Sequence, residues 1–267
     1  VLLKIEKYEN SYRYEKLKAL VKRNENPNID EIFKGIINEN SDRVKHLWEI
    51  KELKERQVKA EIIWNDSRII KKGKYTFKGI IDKKNARGIQ NSISMIITSP
   101  PYLSAQKYVR STKLELLWLG IASENELNEL NKQTIGTEGV SLKNEKQEIG
   151  IAIIDNLLTK LGKISKERML ITYEYFMNMR QVFTQCYDVL KSNGFMVLVI
   201  GNNAVSNLTV NTAHLLTELA KNSGFEVVFV LRDEIKGRGM ITKRHGTGGL
   251  IKDEFVIVLR KLSGKNK

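Results

Sequence analysis

Only three prolines occur in this sequence of 267 residues, and two of them stand side by side in Thr98-Ser99-Pro100-Pro101-Tyr102. At an average proline usage of about 5%, a run of Asp, Asn or Ser, then Pro-Pro, then an aromatic arises by chance in roughly one chain of this length per hundred. Two prolines make a stiff backbone with fixed φ and no N–H donor, so a carbonyl can be aimed at an incoming donor without competition. Ser99 adds an oxygen that accepts a second hydrogen bond. Tyr102 offers a flat face, and stacking a nucleobase on an aromatic ring contributes about 1–3 kcal/mol. Together these groups suit the exocyclic amine of cytosine or adenine. Such a nitrogen is a poor nucleophile because its lone pair is delocalised into the ring. Two acceptors that take its N–H groups free the lone pair for attack on a methyl donor. A base inside a duplex must be turned out of the stack to reach such a site. The alternative role for the same residues is a rigid turn at the end of a strand.

Few other residues compete for the chemistry. The only cysteine, Cys186, follows Gln185 rather than a proline and falls inside a predicted helix, so no covalent nucleophile is assigned. One cysteine excludes a disulfide scaffold and a cysteine zinc cluster. His46, His214 and His245 are too far apart in sequence to suggest a metal centre, and no metal is expected. Lys+Arg 45 against Asp+Glu 31 leaves a net charge of +14, which suits a polyanionic partner, nucleic acid or an anionic surface. No apolar run approaches the roughly 20 residues that span a bilayer, and no charged-then-apolar leader opens the sequence. The expectation is therefore a cytoplasmic protein with no membrane partner.

The elements that must position the tetrad follow from the apolar pattern. Residues 1–58 are basic, with apolar residues at helical spacing in two stretches separated by Asn26-Pro27-Asn28. Asn28 or Asp30 is the expected N-cap of the second helix. Short apolar runs at 60–64 and 93–98 read as strands, the second stopping at the tetrad. A long helix is expected over about 170–191, ending at Ser192-Asn193-Gly194. A buried strand over 195–200, a helix over 212–222 and strands over 225–231 and 254–260 complete the chain. Strands alternating with helices predict an α/β fold with a largely parallel sheet, in which the last two strands, lacking a helix between them, can pair antiparallel. In such sheets ligands bind outside the carboxyl ends of the strands, where the tetrad falls. The polar stretch 122–167 lacks clear periodicity and reads as a long insertion within a domain spanning 59–264.

At these residues the chain resembles the S-adenosylmethionine-dependent amino-group DNA methyltransferases of restriction–modification systems. Their catalytic motif is (Asp/Asn/Ser)-Pro-Pro-(Tyr/Phe/Trp), which Ser99, Pro100, Pro101 and Tyr102 match in full. The Thr-Ser-Pro-Pro-Tyr form is most typical of members that make N4-methylcytosine, and some N6-adenine enzymes share it. Tyr108-Val109-Arg110, Leu114 to Gly120, Tyr175 to Met179, Val199 to Asn203, and a tail with Ile235, Arg238, Met240, Arg244, Glu254 and Lys261 resemble one branch more loosely. The resemblance, over about residues 60–261, implies a Rossmann-like methyltransferase sheet with helices on both faces and an antiparallel last strand. It implies S-adenosylmethionine as cofactor and double-stranded DNA as partner. Asp66, after the first apolar run, and Thr98 are the candidate cofactor contacts; Asp66 serves equally as a turn cap. Lys107, Arg110, Lys243 and Arg244 are candidates for DNA phosphate contact, and each alone also suits a solvated surface. Gly201-Asn202-Asn203 is a strand-to-loop turn or a part of the site. The 122–167 insertion is a candidate for target recognition, or a packing excursion.

One family feature is missing. No apolar strand leads into Asp-Pro-Phe-x-Gly-x-Gly or a close relative, and Gly237-Arg238-Gly239 and Gly246-Thr247-Gly248-Gly249 lack the strand before and the helix after. The expectation is that the first strands of the sheet and the cofactor motif lie upstream of Val1, the 1–58 segment bridging to them, or are supplied by a second chain. Functions that stay open beside the N4-cytosine enzyme are an N6-adenine DNA methyltransferase, an RNA amino-group methyltransferase and a non-catalytic DNA-binding subunit.

Overall fold

Strand β1 (Ile93–Thr98) forms where the apolar run ISMIIT meets the prolines, which cannot continue a ladder. In a computed structural model, the structure describes residues 28–55, 66–72, 90–103, 108–137, 148–235 and 253–263. The chain divides into two units, Val1–Ile62 and Ile63–Lys267.

The first unit contributes helix α1 (Ile29–Trp48) and the single turn α2 (Lys51–Lys54). Asn28 is the N-cap of α1, its side chain accepting from the Glu31 N–H at 3.2 Å. Acidic Asp30 and Glu31 in the first turn and basic Lys45 and His46 in the last complement the helix dipole.

In the second unit a short 3₁₀ segment (Ser67–Lys72) precedes β1, and helices α3 (Tyr108–Trp118), α4 (Glu124–Gln133), α5 (Ala152–Ile164) and α6 (Lys166–Val189) follow it. Then come β2 (Leu190–Gly201), the hairpin β3 (Asn203–Val205) and β4 (Leu208–Val210), helix α7 (Thr212–Asn222), β5 (Phe225–Glu234) and β6 (Asp253–Lys261). The four-stranded sheet has the order β1-β2-β6-β5. β1 and β2 are parallel, and β6 inserts antiparallel to both β2 and β5. Thus β1, β2 and β5 point the same way, as the alternation predicts. Two of the three neighbouring pairs are nevertheless antiparallel, because the last strand enters between the others.

One face of this sheet is closed. Met196, Leu198, Ile200, Ile257 and Leu259 share it by register, and they pack against Tyr175, Phe176, Met179 and Phe183 of α6 and Leu216 and Leu219 of α7. The opposite face carries Met95, Ile97, Phe195, Val197, Val199, Val256 and Val258, of which Ile97 is 71% exposed. Among the described residues the helices thus cover one face, where the resemblance implied two.

Two sequence expectations shift in detail. Helix α6 ends at Val189, and Ser192-Asn193-Gly194 lies inside the irregular start of β2, where pairing jumps from Ile93↔Leu190 to Met95↔Phe195. Asn193 takes a left-handed φ of 61° there, and a Cβ at Gly194 would stand 2.9 Å from the Lys191 carbonyl oxygen. The polar 122–167 stretch holds two helices. α4 opens with a Ser123–Glu126 capping box, and α5 buries Ile154, Leu158 and Leu161 at i, i+4, i+7 against α6. The 60–64 run and the segment before Asn26 lie outside the described residues.

Candidate functional site

The carboxyl ends of β1 and β2, and the start of β6 beside them, meet at the tetrad. Thr98 closes β1 opposite Leu198. Beyond it Ser99 is exposed, Pro100 is buried, Pro101 and Tyr102 are half-buried, and Leu103 is fully buried. The turn is therefore anchored through Pro100 and Leu103 and offers Ser99 to solvent, with Tyr102 only partly covered.

Two neighbouring strands hold it. The Tyr102 hydroxyl donates to Glu254 Oε1 at 2.7 Å, and Glu254 lies on β6 directly opposite Gly201 of β2. Asn203 Nδ2 donates to the Leu103 carbonyl, while the Asn203 Oδ1 is buried without a hydrogen-bond partner among the described residues. Asn202 points elsewhere, its Oδ1 accepting from the Ala213 N–H at 3.0 Å and so capping α7. Sequence reasoning left Gly201-Asn202-Asn203 open as turn or site. The structure gives Asn202 a capping role and fastens Asn203 to the residue after the tetrad. Sequence reasoning also placed Glu254 only within a resembling tail. The missed signal is register, since Glu254 opens the strand that lies beside the end of β2.

Asp66 stands apart in a different setting. Its carboxylate takes the Arg68 N–H at 2.9 Å, Nε at 3.0 and 3.2 Å and Nη2 at 2.8 Å. Those four contacts fill the roughly four lone-pair positions of a carboxylate, so a cofactor contact there requires one to be given up. Arg68 beside it holds the Asp66 carboxyl below the usual carboxylate range, against the opposing effect of burial. The same guanidinium donates to Asn178 Oδ1 of α6 and to the Gln133 carbonyl at the end of α4. Arg110 is exposed on α3, whereas Lys107, Lys243, Arg244 and both glycine-rich segments lie outside the described residues. Among the described residues no group of three or more His, Cys, Asp or Glu is placed to hold a metal, and no helix is long and apolar enough to cross a membrane.

A sheet whose last strand enters antiparallel, with a Ser-Pro-Pro-Tyr turn leaving the carboxyl end of β1, is the arrangement implied by the resemblance to amino-group methyltransferases. The chain is 27% identical over 177 residues to the type II methyltransferase M.AvaI of Nostoc sp. (strain PCC 7120 / SAG 25.82 / UTEX 2576), a match covering 60% of this chain and 36% of that one. It is 18% identical over 213 residues to the type II methyltransferase M.MvaI of Kocuria varians, covering 73% of this chain and 47% of that one. These matches thus span between about a third and a half of the relatives' length. Among solved structures, the DNA modification methylase TTHA0409 of Thermus thermophilus is similar with a TM-score of 0.34 at 14% identity, over 76% of this chain and 53% of that one. The same protein complexed with S-adenosyl-L-methionine gives 0.31 at 14% identity, over 67% and 51%. No family model matches the chain.

Proposed function

We propose that this chain carries the amine-activating part of a DNA methyltransferase, which moves a methyl group from S-adenosylmethionine to the exocyclic amine of a base turned out of the duplex, N4 of cytosine foremost. The observation that carries this reading is the Ser99-Pro100-Pro101-Tyr102 turn at the carboxyl end of β1, anchored at Pro100 and Leu103 and exposed at Ser99. Bound S-adenosylmethionine supplies a methyl carbon made electrophilic by its sulfonium. This chain's residues act on the amine. A backbone carbonyl of the Pro-Pro turn and the Ser99 hydroxyl oxygen accept its two N–H groups, and the Tyr102 ring stacks on the base. The amine nitrogen then bonds to the methyl carbon, the carbon–sulfur bond breaks with its electrons passing to sulfur, and the nitrogen sheds one proton. Thr98 and Asp66 are assigned to the cofactor side, Asp66 by exchanging one bond from Arg68. Similarity to two type II methyltransferases supports the reading.

Methylation of DNA by the full-length protein, followed by digestion and mass spectrometry of the nucleosides, is the test. N4-methylcytosine is expected; N6-methyladenine would move the same chemistry to the other amine, and methylated RNA alone would replace the substrate. Pro101→Ala loosens the carbonyl, and a displacement of about 1 Å costs on the order of 10²-fold in rate. Methyl transfer should fall by about that factor while DNA affinity stays within about threefold. Normal activity in that variant would sink the mechanism. DNA binding without transfer by the unsubstituted protein would favour the non-catalytic subunit, which the lack of a strand-glycine cofactor motif supports. Calorimetric titration of S-adenosylmethionine into the 267-residue chain separately reads whether these residues hold the cofactor.

A further inference from the structure

We infer that Glu254 is a positioning residue for Tyr102: its carboxylate fixes the phenol, and through it the ring face on which the target base is laid. The inference rests on the methyltransferase reading above. Its basis is geometric. Tyr102 leaves a stiff Pro-Pro turn, which fixes the backbone up to its own nitrogen and leaves χ1 and χ2 free. The Glu254 Oε1, 2.7 Å from the hydroxyl, restrains both torsions at the far end of the side chain. A hydrogen bond to an ionised acceptor is about twice as strong as one between neutral groups.

The anchor is itself rigid. Glu254 sits in β6 opposite Gly201, within a ladder running unbroken from Phe195↔Arg260 to Gly201↔Glu254. Asn203, two residues beyond Gly201, fastens the Leu103 carbonyl on the other flank. The tetrad is therefore gripped from both β2 and β6, and only the β6 grip reaches a side chain of the motif. Motifs that carry Phe in this place have no hydroxyl to hold, so the device belongs to the tyrosine form.

Four proteins test this: the full-length protein, E254A, Y102F and the double variant, each assayed for kcat and KM on the same DNA and for its thermal midpoint. Because Glu254 acts only through the phenol, E254A and Y102F should each lower kcat about tenfold, with KM for S-adenosylmethionine within twofold. The double variant should be no slower than either single one. E254Q, whose amide oxygen still accepts from the phenol, should recover most of the rate. Losses that multiply in the double variant would overturn the inference while leaving the methyltransferase reading intact, as would wild-type rates in Y102F. Should E254A fail to fold, Y102F and E254Q still decide the question, since both leave the ladder untouched. An unsubstituted protein that methylates nothing overturns both readings.

Discussion

The Cys186 thiol lies in the apolar cluster beneath the sheet, and burial pushes its pKa up to about 12 from an ordinary value near 9. A thiol so placed is protonated throughout the neutral range and is no nucleophile. This agrees with direct attack by an amine rather than with a cysteine-based mechanism. The raised value also sets a pH window. The unfolded chain loses the thiol proton above pH 9 while the folded chain keeps it, so the stabilisation is complete below pH 9 and is lost as pH rises towards 12. Three units at about 1.36 kcal/mol each bound the loss at roughly 4 kcal/mol. Denaturant midpoints measured from pH 8 to 11 should fall more steeply for the unsubstituted protein than for Cys186→Ala. Parallel slopes would mean that the thiol is not buried as described. Buried Lys261 follows the opposite logic, its ammonium donating to Asn91 Oδ1, the Tyr187 carbonyl and the Leu190 carbonyl at 2.6–2.9 Å. All three of its donors are used, which is why a cation is tolerated at the base of the sheet.

Among the elements, the sheet strands are apolar on both faces, whereas the described helices close only one. Continuous runs such as FMVLVI and FVIVL are expected of strands covered on both sides. The asymmetry gives a contrast within one sheet. Leu198→Ala, in a fully buried site, should cost about 2–5 kcal/mol of unfolding free energy. Ile97→Thr, on the opposite face and still β-branched, should stay within about 0.5 kcal/mol. Equal losses would show that both faces are packed. The strands and the tetrad were legible because local signals specify them: apolar runs bounded by proline, glycine and asparagine. The tyrosine–glutamate bond was not, because Glu254 lies 152 positions from Tyr102 and only ladder register brings them together. The helix α5 was hidden for a related reason. Its apolar stripe is short and sits in an Asn- and Glu-rich stretch, so its identity depends on packing against α6. Asp66 was equally ambiguous, since one carboxylate after a strand caps a turn or meets a ligand, and only Arg68 at the site separates the two.

At the scale of the whole molecule, a net charge of +14 makes affinity for a polyanion a matter of ionic strength. Each phosphate neutralised on duplex DNA releases condensed counterions, so log K falls with log salt by about 0.9 per contact. The overall excess contributes a diffuse attraction, but the slope counts the cations that sit on phosphates. Arg110, exposed on α3, and Lys107, Lys243 and Arg244 are the proposed contacts. Arg110→Ala should make the slope shallower by about 0.9 and weaken binding equally on all sequences, since a phosphate contact carries no base information. The fourfold alanine variant should lose between about 3 and 4 from the slope. Pro101→Ala, which alters the turn and no charge, should leave it unchanged. Filter-binding or fluorescence titrations between about 50 and 200 mM salt resolve differences of that size. If the fourfold variant kept the original slope, these cations would be solvated surface charges, and the DNA-facing surface would have to be sought elsewhere among the 45 lysines and arginines.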